Sequence, residues 1–216
     1  MELLIFDLDG TLVDSKQDLI NSVNATRRHM GMGPLPDDRV ASYVGRGAPL
    51  LIRQAMGEDV SGGTVAKALE YFLEYYKDHM LDHTRLYPGV REGLDSLLQA
   101  GRSMAVLTNK PVRFSSMMLD RLGVGPHFFR VYGGNSFEQK KPHPIGVEKL
   151  LEEKGMVREQ ALMVGDSSVD VQTARNAGIL CCGVTWGFQP ESFESDPPDF
   201  RVDRMEELTA RVLSGR

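Results

Sequence analysis

The sequence predicts an α/β fold, a mostly parallel sheet interrupted by one inserted block of helices. Three observations lead there. Short apolar runs alternate with segments of helical period, the pattern of a parallel sheet covered on both faces. Between about residue 15 and residue 82 the alternation lapses into helical patterns alone. The chain has 216 residues, 41% hydrophobic and 25% charged, which suits one large domain or a main domain with a smaller insert.

Each element follows from the residues in order. Leu3 to Leu8 is a short apolar run and reads as a buried strand. Leu19, Val23, Thr26 and Met30 share one helical face, as do Val65, Leu69, Phe72, Tyr76 and Met80. Gly31 to Pro36 and Ser61 to Gly63 read as loops, and Pro88-Gly89 marks the return to alternation. Val90, Leu94, Leu97 and Leu98 belong to a helix that Gly101 stops. Met104 to Thr108 is the next strand, and Val147, Leu150 and Leu151 lie on a helix ending near Gly155. Ala161 to Gly165 is a strand, Val171 to Ala177 a helix closed by Gly178, and Ile179 to Thr185 a strand. The expected division is a Rossmann-like α/β core of residues 1–14 and 83–216, with an all-helical insert of residues 15–82.

Composition narrows the function. Lys and Arg number 25 against 30 Asp and Glu, a net charge of −5, whereas nucleic-acid binding favours a basic face. No apolar run approaches the roughly 20 residues of a membrane span. Leu3 to Phe6 is too short for a secretory signal, and Asp7 and Asp9 follow it at once. The two cysteines, Cys181 and Cys182, are adjacent and form no disulfide framework, so a cytoplasmic setting is expected.

Four polar segments stand at the ends of strands or in loops able to reach them. Asp7-Leu8-Asp9-Gly10-Thr11 follows the first strand. Two carboxylates so close repel by about 4 kcal/mol at 4 Å and an effective dielectric of 20, unless a cation, a proton or solvent offsets them. A hard divalent ion such as Mg²⁺ takes oxygen ligands and fits that need. Taken alone, such a pair also reads as a turn capping a strand. Gly165-Asp166-Ser167-Ser168-Val169-Asp170 puts a second carboxylate pair at a strand end, Thr108-Asn109 ends another strand, and Lys141-Pro142-His143-Pro144 holds a lysine in a stiff loop. In open sheets of this kind ligands sit beyond the carboxyl ends of the strands, so the four segments converge on one crevice. Carboxylates around a metal, opposite a lysine and a hydroxyl, suit phosphoryl transfer, which needs positioning and charge neutralisation. An Asp is ionised at neutral pH and can attack phosphorus without a base. A second carboxyl can protonate the leaving alkoxide and then deprotonate water.

These segments resemble the haloacid-dehalogenase-like hydrolase superfamily, and within it the phosphoglycolate phosphatase-like group. Phe6 to Ser15, Thr108-Asn109-Lys110, Lys141 to Pro144 and Gly165 to Asp170 match its four motifs in order, across nearly the whole chain. The resemblance implies that Asp7 is the nucleophile and Asp9 the general acid/base. It implies Mg²⁺ held by Asp7, the Asp9 backbone carbonyl and Asp166, with Asp170 orienting from behind. Thr108, Asn109 and a Gly10 N–H would hold phosphoryl oxygens, and Lys141 would offset their charge. The helical block would be a cap that closes over the site. Asp9 separates the chain from dehalogenases, whose leaving group needs no proton. The segment Val44-Gly45-Arg46-Gly47-Ala48-Pro49-Leu50 resembles the group's cap loop, so Arg46 could meet an anionic leaving group. Many relatives have Asn in place of Arg46 and Asp in place of Asn135.

The function expected is a Mg²⁺-dependent phosphatase for a small phosphorylated metabolite, 2-phosphoglycolate first, with no nucleic-acid or membrane partner. A sugar-phosphate phosphomutase, a pyrophosphatase or nucleotidase, and a non-catalytic phosphate-binding module stay open at this point. His79 and His83 lack the Glu of a catalytic zinc helix and read as a solvated helix end. Trp186 and Phe188 read as packing, and Tyr71, Tyr75 and Tyr76 as the core and surface of the helical block.

Overall fold

The computed structural model describes residues 1–215. Strands β1 (Leu3–Phe6), β4 (Ser103–Leu107), β5 (Arg130–Tyr132), β6 (Ala161–Gly165), β7 (Leu180–Val184) and β8 (Phe200–Val202) form a six-stranded sheet in the order β5-β4-β1-β6-β7-β8. Every pairing in it is parallel. The expected α/β architecture is the one observed. All four residues of β1 are fully buried. Leu4 and Phe6 pack into one apolar layer with α5 (Val90–Gln99) and α9 (Met205–Ser214), and Leu3 and Ile5 into the opposite layer with α7 (Ile145–Lys154) and α8 (Ser168–Ala177). A strand covered on both faces needs consecutive apolar residues, which is why it shows as a run in the sequence.

The two outermost strands, β5 and β8, have three residues each and leave too little periodicity to read. Short edge strands also limit pairing with other chains. Helices α6 (Val112–Arg121) and α9 are absent from the expected elements although each has a helical face, Phe114 with Met118 in one and Met205, Leu208 and Val212 in the other. The Ser61–Gly63 segment is corrected: α4 (Gly62–His79) already begins there, with the Ser61 side chain accepting from the Thr64 N–H at 3.3 Å as an N-cap.

A small antiparallel pair, β2 (Val13–Asp14) with β3 (Arg85–Leu86), marks where the chain leaves the sheet and returns. Between those strands lie only helices: α1 (Lys16–His29), α2 (Asp37–Ala41), α3 (Ala48–Met56) and α4. Asp18, buried near the start of α1, accepts from the His83 N–H at 3.0 Å, the Thr84 N–H at 2.8 Å and the Thr84 hydroxyl at 2.7 Å. It therefore ties the outgoing chain to the returning one. No helix among the described residues is long and apolar enough to cross a membrane.

Candidate active site

Chain order places the site. After β1 the chain runs to β4 and β5 on one side, then returns to β6, β7 and β8 on the other. Strand order thus reverses beside β1, and a crevice opens at the carboxyl ends of β1, β4 and β6. Asp7 and Asp9 follow β1, Thr108 to Lys110 follow β4, and Asp166 follows β6. Lys141 enters from the loop before α7, and Asp170 from the first turn of α8.

Asp7, Asp166 and Asp170 bring carboxylate oxygens within 4.8 Å of one another, all buried. Lys141 sits among them, 3.0 Å from Asp7 Oδ1 and 2.7 Å from Asp170 Oδ1, with its side chain 1% exposed. Asp7 Oδ1 also accepts from the Leu8 N–H at 2.7 Å, which fixes the carboxylate. Asp170 caps its own helix, accepting from the Ser167 N–H and hydroxyl at 3.2 and 2.9 Å. Asp166 accepts from the Phe188 N–H at 2.7 Å. Burial, opposed by the Lys141 charge and aided less by that of Asp170, pushes Asp7 up to about 6. Burial, with the charges of Asp170 and Asp7 nearby, raises Asp166 well above its ordinary value. Burial opposes the Lys141 ammonium, but Asp170 and Asp7 outweigh it and raise its pKa. Three oxygen-donor carboxylates this close and this dry suit a hard divalent cation.

The backbone is shaped around the same carboxylates. Gly10 has φ +83°, and a Cβ there would collide with the Asp166 carboxylate. Only glycine combines that conformation with that approach. The Gly10 N–H expected to serve a phosphoryl group is instead donated to the Val13 carbonyl at 2.9 Å, because the strand-end turn consumes it. Gly187 also lies against Asp166 with no room for a side chain.

Asp9 is not part of the converging triad. Its carboxylate accepts from Lys110 Nζ at 2.9 and 3.0 Å and from the Ser15 hydroxyl. Lys110 Nζ also donates to the Tyr76 hydroxyl of α4 at 2.6 Å. Burial opposes this ammonium too, and Asp9 and Tyr76 more than compensate, raising its pKa. Burial, partly relieved by Lys110, pushes Tyr76 up to about 12. Sequence reasoning gave neither Lys110 nor Tyr76 a role in the site. Lys110 does stand directly after the polar strand end Thr108-Asn109, a position that could have drawn attention.

A cavity of about 50 Å³ lies over Asp7 and Asp166, lined by these with Asp9, Thr108 and Lys110 on one side and by Val44, Leu51, Phe72 and Tyr76 on the other. The loop from Val44 to Gly47 is held down through its backbone. Asn109 Nδ2 donates to the Gly45 carbonyl at 2.9 Å, Lys140 to that of Arg46 at 2.7 Å, and Gln189 to that of Val44 at 3.0 Å. Asn109 Nδ2 donates also to the Lys141 carbonyl at 3.1 Å, so its amide hydrogens bridge two loops. The Arg46 side chain is exposed and is not among the residues lining the cavity. His79 and His83 lie away from the cavity, and His79 pairs with Asp82 at 2.8 Å. Phe188, expected as packing only, also lines the cavity and supplies the N–H that holds Asp166.

The sequence pattern of the haloacid dehalogenase-like hydrolases matches residues 4–184. The chain belongs to that family. Within it the chain falls in the phosphoglycolate phosphatase-like group, whose chemistry is the hydrolysis of phosphoric monoesters. It is 38% identical over 217 residues to a phosphoglycolate phosphatase of Vibrio parahaemolyticus, covering 96% of this chain and 94% of the relative. A phosphoglycolate phosphatase of Chromobacterium violaceum is 36% identical, covering 100% of this chain and 98% of the relative. The crystal structure of a predicted phosphoglycolate phosphatase from Haemophilus somnus superposes with a TM-score of 0.91 at 31% identity, covering 99% of this chain and 97% of the other.

Proposed function

We propose that the protein is a Mg²⁺-dependent phosphatase of a small phosphate monoester, 2-phosphoglycolate, acting through a phosphoryl group carried on Asp7. The observation that carries this reading is the buried convergence of Asp7, Asp166 and Asp170 on Lys141. The names of the relatives support the choice of substrate.

Asp7 Oδ1 is taken by Leu8 and Lys141, which leaves Oδ2 to attack phosphorus. As the new P–O bond to Asp7 forms, the ester P–O bond breaks and the leaving oxygen takes a proton from Asp9. Asp9 then removes a proton from water, whose oxygen displaces Asp7 and frees phosphate. Lys141 neutralises charge on the phosphoryl oxygens, Asp170 holds Lys141 in place, and the Thr108 hydroxyl donates to one of those oxygens. Mg²⁺, held by Asp7, Asp166 and the Asp9 carbonyl, would offset the repulsion between carboxylate and phosphate. Asn109 steadies the overlying loop, and the helical segment acts as a cap that keeps water out. For Arg46, contact with an anionic leaving group requires the side chain to turn inward from its exposed position.

The test is phosphate release from a panel of monoesters with Mg²⁺ and with EDTA. Release that needs Mg²⁺ and is fastest with 2-phosphoglycolate is expected. No release from any member in the presence of Mg²⁺ refutes the reading, and transfer between hydroxyls without net release would indicate a phosphomutase. Asp9→Asn should still bind the substrate but not turn it over.

A further inference from the structure

We propose that Tyr76 and Lys110 form the receiving site for the leaving group, and that this pair selects a leaving group carrying a carboxylate. The proposal rests on the phosphatase reading above and assigns the residues that choose its substrate.

Two lysine–carboxylate pairs serve the cavity, one with only its carboxylate on the lining and one with both partners there. One is Lys141 with Asp7, at the phosphoryl end. The other is Lys110 with Asp9, and Lys110 is the only cation among the described residues that line the cavity. A ligand with an anion at each end matches that arrangement, since an uncompensated anion in a dry cavity is costly. Leu19, Leu51, Phe72, Leu73 and Phe114 make up an apolar part of the remaining wall.

Tyr76 supplies the second argument. Its oxygen accepts from Lys110 at 2.6 Å, and among the described residues no acceptor takes its own hydroxyl hydrogen. The residue is 2% exposed and lines the cavity. Its ring is fixed, stacked on Phe72 at 5.5 Å and edge-on to Phe114 at 5.7 Å between centroids. Only the O–H can rotate, and it has the cavity to rotate into. A buried donor without an acceptor is an unfavourable group that a ligand oxygen would satisfy. Lys110 meanwhile spends two hydrogens on the two oxygens of Asp9. An arriving carboxylate takes the Tyr76 O–H and exchanges for one of those Asp9 bonds. That exchange also loosens Asp9 and lets it turn toward the bridging oxygen. Because Tyr76 belongs to α4 and Lys110 follows β4, the receiving pair exists only while the helical segment sits on the sheet.

The test compares kcat/KM for 2-phosphoglycolate with kcat/KM for ethyl phosphate, which keeps the phosphoryl end and lacks the carboxylate. Wild-type protein is expected to prefer 2-phosphoglycolate. In Tyr76→Phe, which keeps the ring, the preference should fall by about tenfold or more, mainly through KM, as expected for one lost hydrogen bond to a charged group. Glycolate should inhibit the wild type competitively and ethylene glycol should not, a comparison that needs no variant. A preference in Tyr76→Phe that stays within about twofold of wild type overturns the proposal. So does a wild type with no preference, or one that glycolate and ethylene glycol inhibit alike. If Arg46→Ala alone abolishes the preference, recognition lies in the loop and not here. A wild type that releases phosphate from neither ester refutes the phosphatase reading instead.

Discussion

Replacing Lys141 by Met removes the cation that touches both Asp7 and Asp170 while keeping most of the side-chain volume. The Lys141 and Asp170 side chains are 1% and 0% exposed, so water cannot take the lysine's place. Removing one partner of a buried ion pair costs about 3–5 kcal/mol. Protonation sets a similar ceiling. A stranded carboxylate can escape by taking a proton, and near pH 7.5 holding it on an acid of ordinary pKa 3.8 costs about 5 kcal/mol. For a chain of this size each kcal/mol moves Tm by about 2–4 °C, so the variant should melt about 6–20 °C below wild type in EDTA. The deficit depends on pH with a definite sign. Carboxylates whose folded pKa lies above the unfolded value cost stability above that value, and the cost fades as pH falls. The gap between the two proteins should therefore narrow from about pH 8 to about pH 4. Added Mg²⁺ should raise Tm more in the variant than in wild type, since it binds the folded carboxylates only. Thermal melts by circular dichroism at several pH values are the assay. Equal melting of variant and wild type at neutral pH in EDTA would refute the reasoning.

Three further outcomes follow. Gly10→Ala places a side chain at φ +83° against the Asp166 carboxylate, so it should lower Tm and weaken Mg²⁺ binding by about tenfold or more, read by calorimetric titration. Asn109→Asp turns a donor to the Gly45 and Lys141 carbonyls into an acceptor facing them; steady-state kinetics should show KM rising more than kcat falls. Asp18→Ala strands the N–H groups of His83 and Thr84 and should cost about 2–4 kcal/mol in urea unfolding, with faster proteolysis near residues 83–86.

The parts of the fold and site that were legible share a physical reason. β1 and β6 are buried on both faces, so each appears as an uninterrupted apolar run, and the carboxylates Asp7 and Asp166 stand out directly after them. β5 and β8 touch only one neighbour each and have three residues, too few to carry a period. Lys110 closes the Thr108-Asn109-Lys110 motif, but its partner Asp9 is 101 positions away, and nothing local points from one to the other. Tyr76 repeats at helical spacing because its ring packs against Phe72 and Phe114. That spacing reports the ring's burial and says nothing of the hydroxyl at its tip. The Gly10 N–H was expected to face a ligand, whereas the geometry spends it inside the turn and needs the glycine to leave room for Asp166. Which atoms of a loop turn inward depends on neighbours from other strands, so the Arg46 loop was visible as a motif and its backbone anchoring was not.

Whether Asp7 carries the phosphoryl group is tested most directly by acid-quenching the enzyme in the first turnover of substrate labelled on phosphorus, then mapping the label. Transient label on the peptide containing Asp7, absent in Asp7→Ala together with all phosphate release, is the expected result. Phosphate release that persists in Asp7→Ala, or turnover with label confined to another residue, would contradict it.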